Sequence, residues 1–210
     1  MEELFKQLDL TFITNEPGQT LLQRFEQLIR DSRYFDCLVA YFYLSGFHAL
    51  YRSLEQAEKI RVLVGIRVSQ DTYDLVSEGG NLNFSHYKTK EKVEKDVVSE
   101  LAESEDAHEI EEGIQKFMEW VRCGKLEIRA YPSQNIHAKV YIMTFKEGDR
   151  DVGRVITGSS NFTQSGLVDN LEFNVELKNR ADYEFALSKF NELWDNAVDV
   201  SEGYVQTIQN

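Results

Sequence analysis

Two unbroken apolar runs constrain this chain most. Cys37–Leu44 and Ile60–Ile66 each read as a strand buried on both faces, and Ser45-Gly46 opens a helical stretch between them, Phe47–Glu58. Strands apolar on both faces need cover on both sides of their sheet. A strand–helix–strand unit with about fifteen residues between its strands predicts a parallel crossover. Further strands are expected at Leu126–Tyr131, closed by Pro132, at Asn135–Phe145, at Gly153–Thr157 and from about Leu171 onward. Thr20-Leu-Leu-Gln23 is a capping-box pattern, followed by Leu21, Leu22, Phe25, Leu28 and Ile29 at helical spacing. Ile110, Ile114, Phe117, Met118 and Val121 mark an amphipathic helix that stops at Gly124, and Ala181–Val198 a last helix with Ala186, Phe190, Leu193, Trp194 and Ala197 on one face. The order of elements predicts an α/β class: an α/β/α sandwich, with a mixed β-sheet of about six or seven strands flanked by helices.

The expected organisation is one domain over residues 1–200, with a tail or shortened linker at 201–210. Met1–Leu10 reads as an arm or short helix, and Arg67–Gly80 as a short helix. A charged helical insertion is expected at about 86–112, its apolar Val93, Val97, Val98 and Leu101 at helical spacing. The chain carries a net charge of −13, and Glu91–Glu112 alone, with ten acidic residues and two lysines, supplies −8 of it. The other 188 residues carry only −5, so a local basic cleft is compatible with the composition, whereas a strongly basic footprint for tight, salt-sensitive duplex binding is not visible. No segment approaches the roughly 18 continuous apolar residues of a membrane span, and the N-terminus lacks a signal-peptide pattern. Cys37 and Cys123 lie in apolar surroundings without metal-ligand spacing, which reads as two buried free thiols of a reducing cytoplasm.

The chemistry concentrates in one stretch. Strand alternation over Asn135–Phe145 sends Ala138, Val140 and Ile142 one way and His137, Lys139, Tyr141 and Met143 the other. A buried lysine needs an anion beside it or a cleft in front of it, because burying an unpaired ammonium costs several kcal/mol, roughly. After the next strand comes Gly158-Ser159-Ser160-Asn161, a small-residue turn whose donors can wrap a phosphate oxygen. Glu172 follows at the head of the next strand. Histidine, lysine, serine, asparagine and glutamate at adjacent strand ends make a parts list for phosphoryl transfer by histidine: a nucleophile, a cation with donors for the oxygens, and a carboxylate to orient the imidazole. Tyr141 and Met143 read as packing residues, Ser160 as a turn residue, and Asn170 and Asn174 carry no assignment.

His137-x-Lys139 followed by Gly158-Ser159-x-Asn161 resembles the H-x-K…G-S-x-N signature of the phospholipase D superfamily, and Glu172 matches the acidic position of its single-motif nucleases. The chain is also similar to the phospholipase D-like domain at the N-terminus of bacterial DEAD/DEAH-type helicases, through Phe12-Ile-Thr-Asn15 to Gly18-Gln-Thr-Leu-Leu22, Tyr41–Phe47 and Ile60–Gly65. The resemblance implies a phospholipase D-like α/β/α sandwich and a metal-independent phosphodiesterase or nuclease acting on DNA or RNA through a phosphohistidine, with no cofactor. It implies His137, Lys139, Asn161 and Glu172 as catalytic residues, and Lys139, Ser159 and Asn161 as phosphate-binding. His48 and His108 have no lysine two residues on; His86-Tyr87-Lys88 does, but Gly-Ser-x-Asn occurs only at 158–161, so one chain offers a single complete signature. The implied assembly is a homodimer with the active site at the subunit interface, and the implied context a helicase motor C-terminal to residue 210. No G-x-x-x-x-G-K-[ST] loop occurs in the chain.

Two positions depart from the signature. Thr144 stands where the superfamily has aspartate, and Lys146–Val152 lengthens the spacer between the motifs. These departures and the acidic balance leave a second reading open: a catalytically inactive phospholipase D-like module for nucleic-acid binding and dimerisation. Lipid headgroup hydrolysis is disfavoured, since neither a second complete signature nor a basic amphipathic helix is present.

Overall fold

The computed structural model describes residues 11–40, 42–65, 107–131, 136–149 and 151–209, of which 107–111 and 206–209 as backbone only. The expectations for Met1–Leu10, for Arg67–Gly80 and for most of the charged insertion lie outside these residues. The strands are β1 (Phe12–Ile13), β2 (Ser32–Val39), β3 (Lys59–Gly65), β4 (Leu126–Tyr131), β5 (Val140–Phe145), β6 (Gly153–Gly158), β7 (Asn174–Leu177) and β8 (Val198–Asp199). The helices are α1 (Leu21–Ile29), α2 (Leu44–Leu54), α3 (Ala107–Arg122), α4 (Arg180–Asp195) and α5 (Ser201–Gln209), with a π-helical turn at Ser165–Asp169.

All eight strands join one sheet in the order β1-β7-β6-β5-β2-β3-β4-β8. The β2–β3 and β3–β4 pairs are parallel, as the crossover spacing requires, and the other pairs are antiparallel. Strand alternation divides the core in two. Phe35, Cys37, Val39, Val62, Ile128, Tyr141, Met143 and Ile156 face the layer formed by α1, α2, α3 and α5. Leu38, Leu63, Ile142 and Val155 face α4, whose Tyr183, Phe190 and Trp194 cover them. The α/β/α sandwich with a mixed sheet is therefore the observed architecture.

The capping box is formed in full. The Thr20 hydroxyl accepts from Gln23 N at 3.2 Å, and the Gln23 side chain accepts from Thr20 N at 3.2 Å. Four expectations need correction. The second strand starts at Ser32 and ends at Val39, five residues ahead of the apolar run, because Asp36 lies inside it at 1% exposure, in register with Arg61. Two ion-pair bonds of 2.6 and 2.8 Å from Arg61 neutralise that buried carboxylate. Phe42 accordingly leaves the sheet and bridges to Phe162, and α2 starts at Leu44. Cys123 is exposed, unlike Cys37. Residues 201–209, expected as a tail, form α5 and place Tyr204 and Val205 in the core. The two-residue strands β1 and β8 bring the sheet above the expected count; segments this short carry no periodicity to read.

Candidate functional site

The motif segments meet at one end of the sheet, beyond the C-terminal ends of β2 and β3. Leu38, near the end of β2, pairs with Val140 at the start of β5. A Cβ on Gly65, the last residue of β3, would lie 2.6 Å from the Ile136 carbonyl, so only glycine lets the segment leading to His137 pass so closely. Outer ends of this kind, where a sheet changes connection, are common ligand sites in α/β folds.

β5 begins at Val140, so His137 and Lys139 stand just ahead of the strand and not inside it. His137 is exposed and Lys139 half-buried, which resolves the cost of a buried ammonium. The Lys139 carbonyl accepts from Gly158 N at 3.3 Å and from the Thr157 hydroxyl at 2.9 Å. Ser159 N in turn donates to the Phe173 carbonyl at 3.1 Å, and Phe173 N to Ser159 Oγ at 3.0 Å. The His-x-Lys segment, the Gly-Ser-x-Asn turn and the segment carrying Glu172 are thus laced side by side through their backbones. Glu172 itself precedes β7, which starts at Asn174, instead of lying in it.

Ser159 and Glu172 are in direct contact, the Ser159 hydroxyl donating to Glu172 Oε2. The hydroxyl expected to bind a phosphate oxygen thus rests on the Glu172 carboxylate. Asn161 is half-buried, and among the described residues its buried Oδ1 has no hydrogen-bond partner. Such a group usually has one. Rotation of the amide offers either an acceptor or a donor at that position. Phe162 anchors the turn from below: it stacks on Phe42 with centroids 5.3 Å apart, and its carbonyl accepts from Tyr43 N at 3.1 Å.

Several residues with no functional assignment from sequence hold this geometry. Asn15, at φ 61°, gives its amide to the carbonyls of Gly166 and Asn170 at 2.9 and 3.0 Å and accepts from Leu21 N at 2.7 Å. Asparagine tolerates the left-handed region, and here it staples the first turn to the π-helical segment between Asn161 and Glu172. Ser160 and Asn174 are fully buried and bonded to each other, and Tyr141 donates to the Ser160 carbonyl at 2.8 Å. The Tyr141 phenol is pushed well above its ordinary value, first by burial and then by Cys37 and Glu172 nearby. Of these, only Tyr141 sits inside an apolar strand that marks it as inward-facing; Asn15, Ser160 and Asn174 carry no local signal in the sequence. Thr144, in place of the signature aspartate, lies in β5 and meets the Tyr183 hydroxyl at 2.8 Å on the α4 side of the sheet.

Comparison with known proteins bears on the family and the fold. The model of the family described as "Cardiolipin synthase, PLD-like domain" matches residues 25–194. No curated protein sequence matches the chain significantly. Among solved structures, the chain is similar to Nuc of Salmonella typhimurium, described as a phospholipase D family member, with 14% identity and a TM-score of 0.51, covering 90% of this chain and 95% of that one. It is similar to the phosphatidylserine synthase of Haemophilus influenzae at 15% identity and TM-score 0.51, over 90% of this chain and 39% of that one. NucT of Helicobacter pylori aligns at 11% identity and TM-score 0.47, over 85% and 90%. At such identities the two structures with TM-scores of 0.51 speak for the fold alone, while the family match spans most of the sequence. The chain belongs to the phospholipase D-like domain family.

Proposed function

We propose that this chain is a metal-independent phosphodiesterase acting on DNA or RNA, with His137 as nucleophile. The observation that carries the reading is the backbone lacing of three segments, which sets His137 and Lys139, Ser159 and Asn161, and Glu172 at one sheet end. In the first step an imidazole nitrogen bonds to phosphorus and the P–O bond to the leaving alkoxide breaks. That alkoxide takes a proton from a second acid. Water then attacks the phosphohistidine, the P–N bond breaks, and the same acid, now a base, removes the water's proton. Lys139, Ser159 and Asn161 bind the non-bridging oxygens, and Glu172 orients the imidazole.

The second acid is His137 of a second copy, which makes the working unit a two-fold dimer closed over the site. Exposed apolar side chains at the rim support this arrangement. Leu171 and Phe173, on either side of Glu172, are 73% and 63% exposed. The helicase context suggested by the opening motif belongs to the same proposal, with the motor beyond residue 210.

The test is cleavage of single-stranded DNA, duplex DNA, RNA and a chromogenic diester in excess chelator, with wild type and His137→Ala purified in parallel. Cleavage by wild type that disappears in the variant supports the proposal. Equal cleavage by both refutes it. Nucleic-acid binding without cleavage by either protein favours the inactive binding module, the reading to which Thr144, engaged structurally with Tyr183, lends weight.

A further inference from the structure

We infer that Tyr141, Ser160 and Asn174 form a buried polar junction that positions the Gly-Ser-x-Asn turn against the other two segments of the site. All three residues are 0% exposed. Their bonds converge on Ser160. Its carbonyl accepts from the Tyr141 hydroxyl at 2.8 Å. Its N–H donates to Asn174 Oδ1 at 3.3 Å, and Asn174 Nδ2 donates back to Ser160 Oγ at 2.9 Å. Each member sits next to a candidate site residue in sequence: Tyr141 two residues after Lys139, Ser160 between Ser159 and Asn161, Asn174 two residues after Glu172. The junction therefore ties together inside the core the same three segments whose backbones are laced at the sheet end.

The physical case rests on cost and direction. A leucine at 174 or a phenylalanine at 141 would fill these places without any polar group to satisfy. Buried polar groups are tolerated where every partner is in place, and they then specify one geometry where an apolar core permits several. The turn needs such specification. Ser160 N–H and C=O belong to no strand ladder, since β6 ends at Gly158. Gly158 leaves room for the arrangement, because a Cβ there would lie 2.5 Å from Asn174 Oδ1. With Ser160 fixed, the side chains of Ser159 and Asn161 on either side of it are set relative to the strand that follows Lys139. Asn174 and Tyr141 touch no substrate atom in this scheme, so they are positioning residues for the reaction proposed above, on which their catalytic consequence rests.

The experiment uses the full chain as wild type, Tyr141→Phe and Asn174→Ala. Hydrogen–deuterium exchange is followed on peptides covering 158–163 and, as internal reference, on those covering α1 and α2. The expected result is exchange at least tenfold faster over 158–163 in both variants, with the reference peptides unchanged. In the chelator assay kcat is expected to fall about tenfold for Tyr141→Phe and about a hundredfold for Asn174→Ala, with KM within about threefold, since misplaced donors act on the transition state more than on binding. Unchanged exchange over 158–163 overturns the inference, as does an equal rise in every peptide. A loosened turn with undiminished kcat overturns the positioning role. If wild type cleaves no diester, the proposed function fails by itself, and the exchange arm alone decides whether the junction holds the turn.

Discussion

Replacing Arg61 by methionine strands a carboxylate in the core, and the size of the effect follows from the geometry. Asp36 is 1% exposed, and Arg61 approaches it with two bonds of 2.6 and 2.8 Å from the neighbouring parallel strand. The same guanidinium donates to Asn191 Oδ1 at 3.0 Å and lies over the rings of Phe190 and Trp194, at 4.9 and 5.4 Å. Removing one partner of a buried pair costs about 3–5 kcal/mol, because the other charge stays behind. For a chain of this size the urea slope is about 2–3 kcal/mol per molar, so the unfolding midpoint at pH 7 is expected to drop by roughly 1–2.5 M. Burial raises the Asp36 carboxyl above its usual range, with Arg61 opposing. The folded state thus holds this proton to higher pH than the unfolded one, and the group's contribution to stability falls as pH rises between the two values. In Arg61→Met the opposing cation is gone, so the carboxyl takes up its proton more readily and the deficit relative to wild type shrinks as pH is lowered. Replacing both residues, as Asp36→Leu with Arg61→Met, removes the stranded charge and restores most of the loss. A loss below about 1 kcal/mol for Arg61→Met at pH 7, or a double variant no more stable than the single one, refutes the reasoning.

Other expectations are more local. Gly158→Ala places a methyl 2.5 Å from Asn174 Oδ1 and closer still to the Phe173 carbonyl, so the strand ends must part; a loss of about 1–3 kcal/mol in urea titration is expected, together with loss of diester cleavage. Cys123 is exposed while Cys37 is fully buried, its thiol pushed well above the ordinary value by burial and by Asp36. A thiol reagent should therefore modify one cysteine per chain natively and the second only on unfolding; two fast equivalents contradict the packing of β2. Leu171→Glu with Phe173→Glu should convert the proposed dimer to a monomer in light scattering at micromolar concentration, and an unchanged mass removes these side chains from the proposed interface.

Periodicity alone makes the strand–helix–strand core legible. β4 falls at Leu126–Tyr131 as read, and the β2–β3 crossover is parallel because two strands joined through a helix have little other choice. The capping box at Thr20 and the α4 face built on Phe190 and Trp194 are likewise local patterns with local causes. The linear order of His137, Lys139, Ser159, Asn161 and Glu172 was enough to name a candidate site, since chemistry depends on residue type and the motif spacing survives without a fold.

What sequence did not reveal depends on contacts between residues far apart in the chain. The apolar run starts at Cys37, and only Arg61 opposite Asp36 explains why the strand extends back over a carboxylate. Residues 201–209 read as a tail because their apolar side chains are few, yet Tyr204 and Val205 close the core beside α3 and β4. Ser160 and Asn174 are ordinary polar residues on the page. Only the tertiary structure buries both, 14 positions apart, and turns their side chains on each other. Sequence thus determined which groups are available at the sheet end, through local pattern and residue chemistry. The packing decided which of them face outward toward a ligand and which are spent inside holding the others, because burial is a property of the assembled layers and not of any one segment.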